Sequence, residues 1–131
     1  MIDTSVMVAA LVGSHEFHDI ARPHLRAQSQ VAAIVLAETY AQLRRTFAQP
    51  AEVAAALLRT WTGDEDRMLA TDVGSVRVVF DRAVELNLGG DIHDALIAQI
   101  CLASGGSLVT LDRRQHRVAL ALGARSTYLL S

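Results

Sequence analysis

Short, uninterrupted apolar runs alternate along this chain with stretches whose apolar residues recur every three or four positions. The runs are Val31–Val35, Met68–Thr71, Ser107–Leu111 and Ser126–Leu130, with Met1–Thr4 as a stub. Runs without polar alternation read as strands buried on both faces, the condition of a parallel sheet covered by helices. Between them, Leu36, Tyr40, Leu43 and Phe47 mark one face of a helix. The other expected helices are Ser5–Val12, His15–Gln28, one opening at Pro50, Val76–Leu86, Ile92–Ala103 and Arg113–Leu122. Pro23 predicts a kink or break in the second of these. Pro50 suits the first position of its helix, which is expected to bury Val53, Leu57, Leu58 and Trp61. Gly13 and Gly105–Gly106 read as helix stops. The pattern predicts an α/β fold, a mostly parallel sheet of about five strands flanked by helices. With no linker or repeat to divide it, the chain reads as a single domain over residues 1–131.

Bulk properties exclude several classes. No apolar run approaches the ~18 residues that a spanning helix needs, so no membrane association is expected. Asp3 stands where a signal peptide would carry basic residues, and Cys101 is the lone cysteine, so no intrachain disulfide forms. Both fit a cytoplasmic setting. Cys101 lies in the apolar run Ile97–Ala103 and reads as a small buried hydrophobe. A net charge of −2 gives no global attraction to nucleic acid. All 12 basic residues are Arg and none is Lys. That choice suits bidentate phosphate contacts and equally fits a GC-rich coding sequence.

The acids carry the chemistry. Asp3, Glu38 and Asp112 each stand just past the end of an expected strand or in the first turn of the following helix, and Asp94 opens the most apolar helix. In open α/β sheets these ends share one edge, where ligands bind. Singly, each acid has a structural reading: Asp3 and Asp112 as N-caps, Glu38 at the positive end of its helix, Asp91 and Asp94 as a capping-box-like pair. Together, four carboxylates in one cleft repel one another unless a cation neutralises them. All-oxygen ligands suit Mg²⁺ or Mn²⁺, the ions of phosphoryl displacement.

The stretches MIDTSV, LAETYAQL, HDALIAQICLASGG and SLVTLDRR resemble, in order and spacing, the motifs of PIN-domain nucleases, and in particular the VapC-type toxins of bacterial toxin–antitoxin pairs. The likeness spans essentially the whole chain and implies a three-layer PIN-like fold. It implies that Asp3, Glu38, Asp94 and Asp112 form the catalytic and metal-binding quartet, with Mg²⁺ or Mn²⁺ as cofactor. Asp94 fits better than Asp91, because Ala95 and an apolar helix follow it directly. Ser5 and Thr110 match positions whose hydroxyls support such sites. The resemblance further implies cleavage of RNA, a homodimer, and inhibition by a cognate VapB-type antitoxin that places a basic side chain in the acidic cleft. The chain departs from the pattern in two places. Fewer residues precede the first acid, which puts the α-amino group near the site. His116 replaces a common aromatic and reads as a packing variant.

Arg113, Arg114 and Arg117 follow Asp112, and Arg44 and Arg45 share a helix with Glu38. Arg113 and Arg114 are the candidates for RNA phosphate contacts. His93 reads as a local hydrogen-bond partner of its neighbours, and His15, His18 and His24 lack the spacing of a zinc site. Response-regulator and haloacid-dehalogenase-like folds also place an Asp after the first strand, but both need a catalytic Lys. No Walker A Gly-Lys pair is present. The alternative to an enzyme is a catalytically silent PIN-like module that engages an antitoxin or RNA without turnover. Metal binding without turnover would favour it.

Overall fold

Met1 to Asp3 run alongside a strand near the other end of the chain. Val109 donates its N–H to the Met1 carbonyl at 2.9 Å, Asp3 donates to the Val109 carbonyl at 3.2 Å, and Ile2 faces Val109 in a parallel bridge. The computed structural model describes residues 1–26 and 29–130. Among them the elements are α1 (Thr4–Leu11), α2 (His18–Ala21), a 3₁₀ turn (Arg22–His24), β1 (Val31–Ala32), α3 (Ala33–Arg45), α4 (Ala51–Leu57) and α5 (Arg59–Thr62). A second 3₁₀ turn (Glu65–Arg67) leads to β2 (Met68–Leu69), α6 (Val73–Arg82), α7 (Ile92–Ala103), β3 (Ser107–Thr110), α8 (Arg113–Ala121) and β4 (Arg125–Tyr128).

Every strand pairing among the described residues is parallel, as the apolar runs predict. β1 pairs with β2 through Val31–Met68 and Ala32–Leu69, and β3 with β4 from Ser107–Arg125 to Thr110–Tyr128. The pairings form two short ladders, with Ile2 on the other side of β3 from β4. β3 packs against α1, α7 and α8. The core gathers Val6, Met7 and Ala9 of α1, Leu108 of β3, Ile97 and Ala98 of α7, and Val118 and Ala119 of α8. α7 is buried on one broad face through Ala95, Ile97, Ala98, Ile100 and Cys101, while Leu102 is exposed. Burial also raises the Cys101 thiol above its ordinary pKa, consistent with an inert apolar role. α7 stops where Gly105 takes a left-handed φ of 77°, which lets Gly105 and Gly106 donate back to Leu102 and Cys101. No described helix is long and apolar enough to cross a membrane.

Several boundaries differ from the sequence expectation. The expected helix His15–Gln28 is only α2 before a 3₁₀ turn containing Pro23, whose missing N–H ends the α-helical ladder; its far end at Gln28 lies outside the described residues. The strand expected over Val31–Val35 is two residues long, because Ala33 already starts α3. On α3 the buried face is Val35, Leu36, Thr39 and Leu43, and Tyr40 is exposed. Pro50 precedes α4 as its N-cap residue. A break at Leu58 splits the expected single helix into α4 and α5; Ala54, Leu58 and Trp61 point inward and Val53 is exposed. α6 starts three residues earlier than expected, capped by Asp72, whose carboxylate accepts the Ser75 N–H at 3.3 Å. The last strand is Arg125–Tyr128 instead of Ser126–Leu130.

Candidate active site

Parallel pairing brings the acids together. The Ile2–Val109 bridge sets Asp3 level with Thr110 at the carboxyl end of β3. Both chain segments then turn into helices, and each turn is capped by an acid. Asp3 is the N-cap of α1, its Oδ1 accepting the Val6 N–H at 3.0 Å. Asp112 is the N-cap of α8, accepting from Arg114 N at 2.8 Å and Gln115 N at 3.4 Å. Capping and convergence on one edge therefore coexist in both residues. Glu38 lies in the second turn of α3, one helical turn further from the strand than its sequence context suggests. Asp94 is in the first turn of α7. Asp91 takes the N-cap position of α7 without a side-chain cap bond; its carboxylate accepts the Gly89 N–H at 2.8 Å, so the expected capping pair does not form.

All four acids line one cleft of about 370 Å³. Hydroxyls position the deepest of them. Ser5 Oγ donates to Asp3 Oδ1 at 2.6 Å and accepts the Leu111 N–H at 3.0 Å, tying α1 to the turn after β3. Thr110 Oγ1 donates to Asp3 Oδ2 and accepts the Asp112 N–H at 2.9 Å. Asp3 is 3% exposed. Burial raises its pKa to about 6, against the hydrogen bonds from Ser5, Thr110 and Val6, and the charge of Asp112 adds to the rise. Burial is also the largest cause raising Asp94; Arg114 opposes it, and the charges of Asp112 and Glu38 reinforce it.

The remaining ties were not visible in the sequence. Thr4 Oγ1 donates to Glu38 Oε1 at 2.6 Å, so neighbouring residues of α1 hold two acids on different elements. Arg114 Nε meets Asp94 Oδ2 at 3.0 Å. Gln115 is 1% exposed, lines the cleft, and donates Nε2 to the Asp94 backbone carbonyl at 2.8 Å. Its sequence signal was a polar residue in an apolar stripe, since Val118, Ala119 and Leu122 follow it at helical spacing. His15, Phe17 and Gln42 also line the cleft. The α-amino group donates to Ser107 O at 2.6 Å, at the opposite end of β3 from Thr110, and so lies away from the acids rather than beside them. His93 is exposed, and His116 packs on Tyr128 with ring centroids 5.9 Å apart.

The donor set is oxygen throughout, which fits a hard divalent ion and not a zinc site. Among the described residues, no three acid, His or Cys side chains already close around one ion position. Two of the acids already have partners on other elements: Arg114 holds Asp94, and Thr4 holds Glu38. Arg114 is 56% exposed at its side chain, so its ion pair with Asp94 is open to solvent.

Four acids meeting in one cleft beside the carboxyl end of β3 define the class. The PIN domain family model matches residues 1–121, and the chain belongs to that family. Ribonuclease VapC40 of Mycobacterium tuberculosis, in the strains CDC 1551 / Oshkosh and ATCC 25618 / H37Rv, is 33% identical over 115 residues, covering 86% of this chain and 85% of that protein. The solved structure of FitAB bound to an IR36 DNA fragment contains a chain of the same fold, with a TM-score of 0.66 at 16% identity, covering 97% of this chain and 92% of that one.

Proposed function

We propose that this chain is a divalent-metal-dependent endoribonuclease, the toxin of a VapBC-type toxin–antitoxin pair. The observation that carries the reading is the meeting of Asp3, Glu38, Asp94 and Asp112 on one cleft at the carboxyl ends of parallel strands. Family membership and the ribonuclease relatives support it. Asp3, Glu38, Asp94 and Asp112 would hold Mg²⁺ or Mn²⁺. When bound, the ion supplies a water of lowered pKa and offsets the charge that develops on the phosphate.

The protein's own groups set the geometry. Ser5 and Thr110 fix both oxygens of Asp3, and Thr4 fixes Glu38. Arg114 balances Asp94 in the free protein and, once displaced, lies at the cleft with a guanidinium suited to a substrate phosphate. A cognate VapB-type antitoxin would inhibit by placing a basic side chain against the same acids, the position that Arg114 already takes toward Asp94. The homodimer is supported by Val73, Phe80 and Val84, exposed at helical spacing along and just beyond α6.

The test is incubation with cellular RNA in Mg²⁺ or Mn²⁺, with and without EDTA, beside an Asp94→Asn chain. Discrete fragments are expected only with metal and intact Asp94. Identical products from wild type and Asp94→Asn would remove the support for catalysis in this cleft. In binding assays with chelator, Arg113→Ala plus Arg114→Ala is expected to weaken RNA affinity and to flatten its salt dependence by up to about two charges. An unchanged salt slope would show that these arginines do not touch phosphate.

A further inference from the structure

The acidic cleft does not end at its own rim. Arg114 lines both the cleft and an adjoining hollow of about 240 Å³, floored by Leu86, Leu88 and Val118. Arg117 lines that hollow and a third, open depression of about 530 Å³. Arg113, His116, Ser126 and Tyr128 form the third depression with it. Two arginines of one helix, Arg114 and Arg117, thus join three adjacent concavities, leading from the acids across the face of α8 to β4, where Arg113 lines the last. Among the described residues, Asp91 is the one acid lining the hollow, and none lines the third depression.

The far end carries an aromatic cluster with a guanidinium beside it. His116 stacks against Tyr128 with centroids 5.9 Å apart and planes 28° apart. The Arg113 guanidinium lies 5.6 Å from the centre of the same ring. Ser126 Oγ, 2.8 Å from His116 Nδ1, fixes the imidazole. The register Thr110–Tyr128 places this ring beside the strand end that carries the site, so the platform and the acids share one sheet edge.

We propose that this surface is a flanking-nucleotide subsite. A single RNA strand leaves the cleft over α8, with its phosphates on Arg114 and Arg117 and a base on the Tyr128–His116–Arg113 platform. Single-strand binding sites combine these two components, a positively charged path and an aromatic ring on which any base stacks. The proposal rests on the ribonuclease reading and deepens it, because it makes substrate length matter. An RNA spanning only the cleft does not reach the platform, whereas a longer one does.

The test measures binding in EDTA of oligouridylates of about four and about sixteen nucleotides. The proteins are wild type, Tyr128→Leu, Tyr128→Phe and Arg117→Glu, each checked for an unchanged melting profile. Tyr128→Leu is expected to weaken the long RNA at least about fivefold and leave the short one unchanged, with Tyr128→Phe restoring affinity. Arg117 is exposed, so Arg117→Glu tests the same path without touching the core, and it too should weaken only the long RNA. Equal long-RNA affinity in wild type, Tyr128→Leu and Arg117→Glu overturns the subsite, while metal-dependent cleavage by the same wild-type preparation leaves the ribonuclease reading standing. Failure of wild type either to bind or to cleave both RNAs overturns both. If polyglutamate binds wild type and loses affinity in the variants while RNA does not, the surface docks an acidic protein segment and the RNA proposal falls.

Discussion

Asp3→Asn is expected to raise the stability of the metal-free protein at neutral pH while abolishing RNA cleavage. The physical reason is burial. Asp3 is 3% exposed, and its carboxyl moves from an ordinary 3.8 to about 6 in the folded protein. Keeping it ionised at pH 7 therefore costs about 3 kcal/mol relative to the unfolded chain. An amide removes that charge and retains the contacts, its oxygen accepting from Val6 N and Ser5 Oγ and its NH₂ group donating toward Thr110 Oγ1. The folded state binds the extra proton between 3.8 and 6, so wild-type stability falls as pH rises through that window. The gap between variant and wild type is then expected to be widest at pH 7, to narrow through pH 6, and to close near pH 4. Denaturant melts in EDTA at these three values measure it. A bound divalent ion should offset the same cost, so added Mg²⁺ or Mn²⁺ should stabilise wild type more than the variant. An Asn variant less stable than wild type at pH 7 in EDTA would show that the hydrogen bonds to the Asp3 carboxylate outweigh the cost of burying its charge.

The same residue shows what the sequence could and could not disclose. Asp3 and Asp112 were recognisable as acids at strand ends, and both structural readings, N-cap and cleft wall, are satisfied at once. Legibility was highest from Ile92 onward, where glycine stops separate strongly patterned elements. It was lowest around Val31–Ala37. That run is apolar throughout, so periodicity cannot separate a strand from a helix, and Ala33 favours the helix. The misplaced boundary put Glu38 one turn too near the strand. The exposed Val53 has a different cause: Ala54, Leu58 and Trp61 share one face at spacings of four and three, and Val53 lies beside that face. No local pattern encodes the cross-chain ties, Thr4 to Glu38 and Arg114 to Asp94, because each joins residues that only the parallel topology brings together.

Gln115 ties the backbone of Asp94 to the helix that follows Asp112. It belongs to α8, whose N-cap is Asp112, and its amide donates across to the Asp94 carbonyl of α7. One buried side chain thus sets the spacing between two elements that each bring an acid to the cleft. Gln115→Ala removes a hydrogen bond and leaves a cavity, and is expected to cost about 2 to 3 kcal/mol of stability. That loss alone would not separate positioning from packing. Gln115→Leu does, because it refills the volume without a donor. The leucine variant is expected to retain most of the wild-type stability, yet to bind Mn²⁺ about tenfold more weakly, the usual effect of removing a group that orients a metal ligand. Calorimetric titration with Mn²⁺, beside melting of both variants, distinguishes the roles. Wild-type Mn²⁺ affinity in a folded Gln115→Leu protein would reduce Gln115 to a packing residue and leave the orientation of Asp94 to Arg114 and the first turn of α7.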